Sequence, residues 1–206
     1  MQLRVITPPE PFVTPADIAG DHAADDALVA SMIAAATEEI DGPTGWLGRA
    51  IGPQVIEATG CLGIERVALP CPPIISIEEV VGIDPYGAET AAAVEDYWLD
   101  GEVLVLRCGA RWARLPRYRI RYKAGFNGNS GAPEGERQTG AIPERVRQAV
   151  ILSVQHMKSI GVENLYLKVD EVDGVGRQEF TLTDQASNVI ERACDRLLRG
   201  LKVYRV

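Results

Sequence analysis

The stretch LPCPPIISIEEVVGID, residues 69–84, decides the fold. Three of its first five residues are prolines, which hold the backbone extended and cannot donate to a sheet ladder. The Ile- and Val-rich run 74–83 is typical of a half-buried strand, and DPYG at 84–87 has the composition of a turn. This pattern predicts a strand, a stiff corner, a second strand and a turn, with helices before and after a small β-layer built on the corner.

Length and composition indicate a globular protein. The 206 residues are 46% hydrophobic and 24% charged, which suits one large domain or two small ones. No apolar run approaches the roughly 18 residues that a bilayer span needs. The first residues, MQLRVITPPEP, lack the basic and apolar segments of a signal peptide. We therefore expect a soluble protein that folds in the cytoplasm.

Charge is divided unevenly along the chain. Residues 1–102 carry 18 acidic and 3 basic side chains, whereas residues 103–206 carry 11 acidic and 18 basic ones. If the two halves lie on different faces, identical subunits attract head to tail, and such a contact makes a ring when it closes. If the halves interleave in space, the asymmetry cancels. The sequence alone leaves both arrangements open.

Periodicity places helices on both sides of the strands. Helical stripes predict one helix from Asp25 or Asp26 to Gly42, one from Pro143, and a final one from Ser187 or Asn188 to Gly200. About six strands lie between the first two helices. They are expected at 54–59 and 64–69, paired with each other, at 74–83, at 94–99 and 103–106 as a hairpin, and at 118–124. In the last strand apolar and basic residues alternate, so Tyr118, Ile120, Tyr122 and Ala124 are expected to face one side.

The predicted fold class is α+β, a small helical bundle with an inserted antiparallel β-sandwich-like or barrel-like layer. The bundle consists of N-terminal, central and C-terminal helices. The expected organisation is an N-terminal arm and helices at 1–50, the β-layer at 51–126, a flexible loop at 127–141, further helices at 142–200, and a C-terminal tail at 201–206.

No residue pattern in the chain predicts catalysis. Neither His22 nor His156 has a nucleophile at a familiar spacing, and no phosphate-binding Walker loop is present. Glu78 and Glu79 are neighbours on a strand, so they point to opposite faces and cannot share a proton. We expect no catalytic, cofactor-binding or metal-binding residues, and no enzyme.

The four cysteines fit incidental thiols in a reducing compartment, since none forms a C-x-x-C pair. A zinc site on Cys61 and Cys71 is the weaker alternative, because two further ligands are missing nearby. The other two are Cys108 and Cys194.

One segment is strongly basic. Residues 103–133 contain seven bases and no acids, with Trp112, Tyr118 and Tyr122 interleaved. Such a segment suits phosphates or an acidic protein surface. The net charge of −8 disfavours bulk attraction to DNA, so a protein contact is favoured. The candidates for a subunit interface or a DNA channel are Arg111, Arg114, Arg117, Arg119, Arg121 and Lys123.

Taken in order, several segments resemble the head–tail connector (adaptor) proteins of long-tailed bacteriophages and gene transfer agents. An acidic helix start at 25–28 precedes TGWLGRAIGPQ (44–54), the Pro-rich corner and DYWLDG (96–101). RIRYKAGF (119–126), IPERVRQAVILSVQHM (142–157) and LLRGLKVYRV (197–206) follow. The chain departs from the family in its Gly-rich loop at 127–139 and in Cys71.

The resemblance implies a non-enzymatic structural protein at the head–tail interface, the virion neck, made in the bacterial host cytoplasm. It would form a ring, expected to be a dodecamer, below the portal protein. The ring would extend the channel for packaged double-stranded DNA without sequence-specific binding, and would dock a stopper or tail-terminator protein. The resemblance also implies portal-contact residues in the tail, namely Leu201, Lys202, Val203, Tyr204 and Arg205.

The alternative function is a stand-alone β-sandwich module that binds a ligand such as a sugar. It predicts a monomer with an aromatic-lined site around Trp98 or Trp112. The connector interpretation predicts a ring, or a ring that forms with the portal.

Overall fold

The computed structural model describes residues 1–61, 66–107, 116–129, 131–162, 169–172, 176–179 and 184–203. These ranges contain helices α1 (Ala27–Ile40), α2 (Glu144–Val162) and α3 (Asp184–Leu198), with short 3-10 turns at Pro15–Asp17, Val94–Asp96 and Arg199–Leu201. The strands are β1 (Gln2–Thr7), β2 (Gln54–Cys61), β3 (Arg66–Ala68), β4 (Ile74–Ile83), β5 (Glu89–Ala91), β6 (Tyr97–Asp100), β7 (Val103–Leu106), β8 (Arg117–Ala124), β9 (Val169–Val172) and β10 (Gly176–Glu179).

The chain divides into two compact units. The first unit comprises Met1–Glu10, Ile40–Ile142 and Lys202–Val206, and it contains β1 to β8. The second comprises Pro11–Glu39 and Pro143–Leu201, and it contains α2, α3 and nearly all of α1. The predicted α+β class is confirmed, and the described strands form open sheets rather than a closed barrel.

The first unit is built on an antiparallel sheet with the order β1-β2-β8-β4-β5. Its central strand β8 alternates as the sequence predicts, because Tyr118, Ile120, Tyr122 and Ala124 are buried. A second sheet has the order β3-β7-β6. Side chains of both sheets share one buried apolar cluster, which makes this unit sandwich-like.

The Pro-rich corner acts as a hydrogen-bond acceptor for the strands around it. The Tyr122 hydroxyl donates to the Pro70 carbonyl at 2.8 Å, and the Gly125 N–H donates to the Pro73 carbonyl at 2.9 Å. After β4, the Asp84 carboxylate accepts from the backbone N–H groups of Tyr86 and Ala88, both at 2.8 Å. The predicted order of corner, strand and turn is confirmed.

Two predictions about the strands are wrong. The expected pairing of β2 with β3 does not occur: β2 pairs with β1 and β8, and β3 pairs with β7. The first residues, expected to be an arm, form β1 on the edge of the large sheet. Both errors arise because pairing between distant segments is decided by burial in the assembled core, which local turn chemistry does not reveal.

Two of the three helices named above begin where the sequence predicts. Asp26 caps α1, since its carboxylate accepts from the N–H groups of Leu28 at 2.8 Å and Val29 at 3.1 Å. α2 begins directly after Pro143, whereas α3 begins at Asp184, earlier than expected. α3 packs on α2 through Cys194, whose sulfur lies 3.7 Å from the Ala149 carbonyl oxygen.

The hairpin of β9 and β10 was not predicted by the sequence. Among the described residues, no helix combines the length and the apolar character that crossing a membrane demands.

Candidate assembly surfaces

The basic strand β8 lies inside a network of ion pairs. Its Arg119, Arg121 and Lys123 alternate with the buried residues and therefore lie on the polar face of the large sheet. The Arg119 guanidinium binds the Glu89 carboxylate with two hydrogen bonds of 2.6 and 2.8 Å. It also lies 3.8 Å from the Glu79 carboxylate.

Glu57 on β2 completes this network. Its Oε2 accepts from Arg121 Nη2 at 3.0 Å and lies 3.9 Å from Arg119 Nε. Lys123 pairs with Glu136 at 2.8 Å. The hydrogen bonds that Arg119 donates to the Glu89 carboxylate are the main cause that raises the pKa of Arg119. The Nε atoms of Arg119 and Arg121 are buried and have no hydrogen-bond partner in the described structure.

The network shows how side chains from the acidic and basic halves of the sequence are arranged on the large sheet. Glu57, Glu79 and Glu89 come from the acidic half of the sequence, and they pair with Arg119 and Arg121 of the basic half within one subunit. On the sheet, therefore, the two halves interleave. Arg117 is exposed at the start of β8, while Arg111 and Arg114 lie outside the described residues. An interface or channel role for the six basic candidates stays a prediction.

The root of the C-terminal tail is attached to the loop at 46–48. The Lys202 ammonium lies 5.1 Å from the centre of the Trp46 ring, and the Val203 N–H donates to the Leu47 carbonyl at 2.8 Å. Gly48 has φ +62°, and a Cβ atom there would lie 3.2 Å from the Val203 carbonyl oxygen. The close approach of the tail therefore favours glycine at this position.

The five portal-contact candidates differ in exposure. Leu201 is buried at the end of a 3-10 turn, and Lys202 is exposed. Lys202 and Val203 are not part of a strand. Tyr204 and Arg205 lie outside the described residues.

A buried carboxylate that the sequence reasoning missed organises the segment after α1. Asp41 directly follows the last residue of α1, and it is only 7% exposed. Its Oδ1 accepts from the Ile51 N–H at 2.7 Å and from the Gln54 amide at 2.9 Å. Burial raises the pKa of Asp41 to about 6, against the opposing effect of these bonds. An acid at a helix C-terminus opposes the helix dipole, and that was the available signal.

The Gly-rich loop at 127–139 is tied to the sheet at several points. Thr139 Oγ1 donates to the Gly125 carbonyl at 2.7 Å, and Gly128 pairs with Gly140. The Arg137 N–H donates to the Ile75 carbonyl of β4 at 2.9 Å. Flexibility of this loop stays a prediction.

The residues considered for chemistry are dispersed. His22 bonds the Pro15 carbonyl at 2.8 Å and Lys158 Nζ at 2.9 Å, while Nδ1 of His156 is buried without a partner in the described structure. Cys61 is exposed and Cys71 is buried. Within the described ranges, no three His, Cys, Asp or Glu side chains are grouped as metal ligands.

The ligand-binding alternative depends on two tryptophans. Trp98 lies on β6 and is 50% exposed. Trp112 and Cys108 lie outside the described residues.

Comparison with known proteins gives structural neighbours only. No protein-family model matches the sequence, and the search of curated proteins gives no match. Three similar solved structures are the neck of an empty gene transfer agent particle with C6 symmetry, the neck of a native particle with C12 symmetry, and the virion of a native particle. Their chains are 19%, 18% and 19% identical to this one, with TM-scores of 0.63, 0.61 and 0.63.

These likenesses extend over the whole molecule. Each alignment covers 100% of this chain and 97% of the other. The resemblance seen in the sequence is therefore confirmed at the level of the fold: this chain has the fold of a chain from the neck of a gene transfer agent particle.

Proposed function

We propose that this chain is a structural head–tail connector of a tailed phage or phage-like particle. The observation that carries the proposal is the likeness to neck chains over the full length of both partners. An end-to-end match supports a shared role better than a match to one common module would, because fold alone does not fix function.

The proposed connector forms a closed ring of identical subunits. The neighbouring neck structures have C6 and C12 symmetry, which supports a ring of six-fold or twelve-fold symmetry, with twelve copies expected. Closure requires a heterologous contact, in which one surface of each subunit binds a different surface of the next subunit around the ring. On the polar face of the large sheet, Arg119, Arg121 and Lys123 are already paired with glutamates of the same subunit. We therefore place the electrostatic attraction between subunits on other surfaces.

The proposed ring lies below the portal and extends the channel for double-stranded DNA. The tail, residues 201–206, reaches the portal, where its backbone pairs with an open strand edge or groove. The attachment of Lys202 and Val203 to the 46–48 loop supports this, because it fixes the position of Val203, the residue that precedes the last three. The net charge of −8 suits a channel through which DNA slides without sticking. The opposite side of the ring docks the stopper or tail-terminator protein.

Deletion of the gene tests this role. Without the connector, we expect DNA-filled heads and separate tails in the electron microscope, and infectivity or gene transfer reduced by several orders of magnitude. A plasmid copy of the gene should restore joined particles. Normal joined particles from the deletion strain would contradict the proposal.

A further inference from the structure

The helix α3 carries more apolar surface than its contact with α2 uses. Leu198 is buried and Cys194 contacts α2, so these residues mark the inner face. Val189, Ala193 and Leu197 follow a second stripe at four-residue spacing and line an open groove. Val189 is 64% exposed.

Arginines border this groove. Arg192, Arg196 and Arg199 lie at helical spacing along one side of the stripe, all three exposed, with Asp195 also lining the groove. None of the salt bridges found among the described residues includes any of the three arginines. The α3 groove therefore has an apolar floor and a rim of three arginines and Asp195, with an excess of positive charge.

The helix α1 presents the complementary surface. Its outer face consists of exposed residues at helical spacing, with apolar or small side chains in the first three turns and two acids at the end. These residues are Leu28, Ser31, Ala35, Glu38 and Glu39. Leu28 is 64% exposed, and neither glutamate takes part in a described salt bridge. No lysine or arginine occurs from residue 5 to residue 48.

We infer that the α3 groove of one subunit binds the outer face of α1 of the next copy. Leu28 and the small residues cover the apolar floor, while Glu38 and Glu39 meet the arginine rim. The contact joins two different surfaces, so it is heterologous and allows a ring to close. This inference rests on the proposed ring and specifies which surfaces build it. DNA is the less favoured occupant, because the floor between the arginines is apolar and phosphates gain nothing from it.

A charge swap in the full-length chain tests the pairing. We expect Arg192→Glu with Arg196→Glu, and separately Glu38→Arg with Glu39→Arg, to lower the ring fraction about tenfold, since like charges then face each other. The chain that carries all four substitutions should recover rings, because the swapped charges attract again. The control variant Arg4→Glu with Arg107→Glu changes the net charge as Arg192→Glu with Arg196→Glu does, but at exposed residues elsewhere. It should assemble normally.

Ring fraction is measured by light scattering and negative-stain microscopy, with and without the portal, and circular dichroism checks the fold of each variant. The pairing would be overturned if either charge-reversed double variant folded and formed normal rings, or if the variant with all four substitutions did not recover rings. The proposed connector role would remain intact in both cases. Normal rings together with lost binding to double-stranded DNA would assign the groove to DNA instead. Absence of rings from the unaltered chain under both conditions would overturn both proposals.

Discussion

At the scale of single residues, Asp41 determines how the segment after α1 folds back on the sheet. Its carboxylate accepts hydrogen bonds from the Ile51 N–H and the Gln54 amide. These donors favour the charged form, whereas burial opposes it more strongly. The same residue thus fixes the loop and makes the stability of the protein depend on pH.

We expect the Asp41 carboxyl to titrate near pH 6 in the folded protein, compared with 3.8 ordinarily. Between these values the folded state binds more protons than the unfolded state, so the contribution of Asp41 to the unfolding free energy falls as the pH rises. The full loss, complete above about pH 6, is on the order of 3 kcal/mol. Carbon-13 NMR of the carboxyl group measures the titration directly.

The variant Asp41→Asn provides the control for this prediction. An amide at residue 41 does not titrate, so the unfolding free energy of the variant should lack this decline between pH 4 and 7. If denaturant unfolding gives parallel pH profiles for both proteins, Asp41 does not have the raised pKa.

At the scale of elements, β8 contributes to the hydrophobic core with one face and to the ion-pair network with the other. Its inner side chains belong to the buried cluster, and Arg119 connects β5, β4 and β2 across the outer face through Glu89, Glu79 and Glu57. The Arg119 side chain is 24% exposed, whereas Arg66 and Asp100, which pair at 2.8 Å on the other sheet, are 58% and 59% exposed. Exposed pairs contribute little because water and salt screen them.

Arg119→Met should therefore destabilise the protein by about 1–2 kcal/mol, since it leaves three carboxylates without their shared cation. The matched change Arg66→Met should cost less than about 0.5 kcal/mol. Urea unfolding at neutral pH compares the two variants. Equal losses would show that the network adds no more than an ordinary surface pair.

Local patterns predicted most of these elements, whereas contacts between distant segments escaped prediction. The alternation of residues 118–124, the Asp26 cap and the turn at Asp84 depend on neighbours in sequence, and the structure confirms them. The pairing of β2 with β1, and the acids facing β8, depend on segments far apart in the chain. The positive charge of β8 was visible in the sequence, but its intramolecular neutralisation was not.

At the scale of the whole molecule, the proposed assembly uses different parts of the chain for different contacts. The helices supply the inferred contact between subunits, and the C-terminal tail supplies the contact with the portal. Because Lys202 and Val203 are held by the 46–48 loop, only residues 204–206 lie beyond the described attachment.

Removal of residues 204–206 should abolish binding to the portal without unfolding the subunit. The truncation leaves the buried Leu201 and the attachment of Val203 in place, so the melting temperature should change by less than about 2 °C, as for a surface change. Co-sedimentation with purified portal measures binding. Undiminished binding by the truncated chain would locate the portal contact elsewhere.

The central claim is that copies of this chain close into a ring that joins a neck. Its most direct test is the mass and symmetry of the purified protein, alone and mixed with portal, by light scattering and cryo-electron microscopy. We expect a closed ring with six-fold or twelve-fold symmetry, seated on the portal when the portal is present. A 22.3 kDa monomer under both conditions would contradict it.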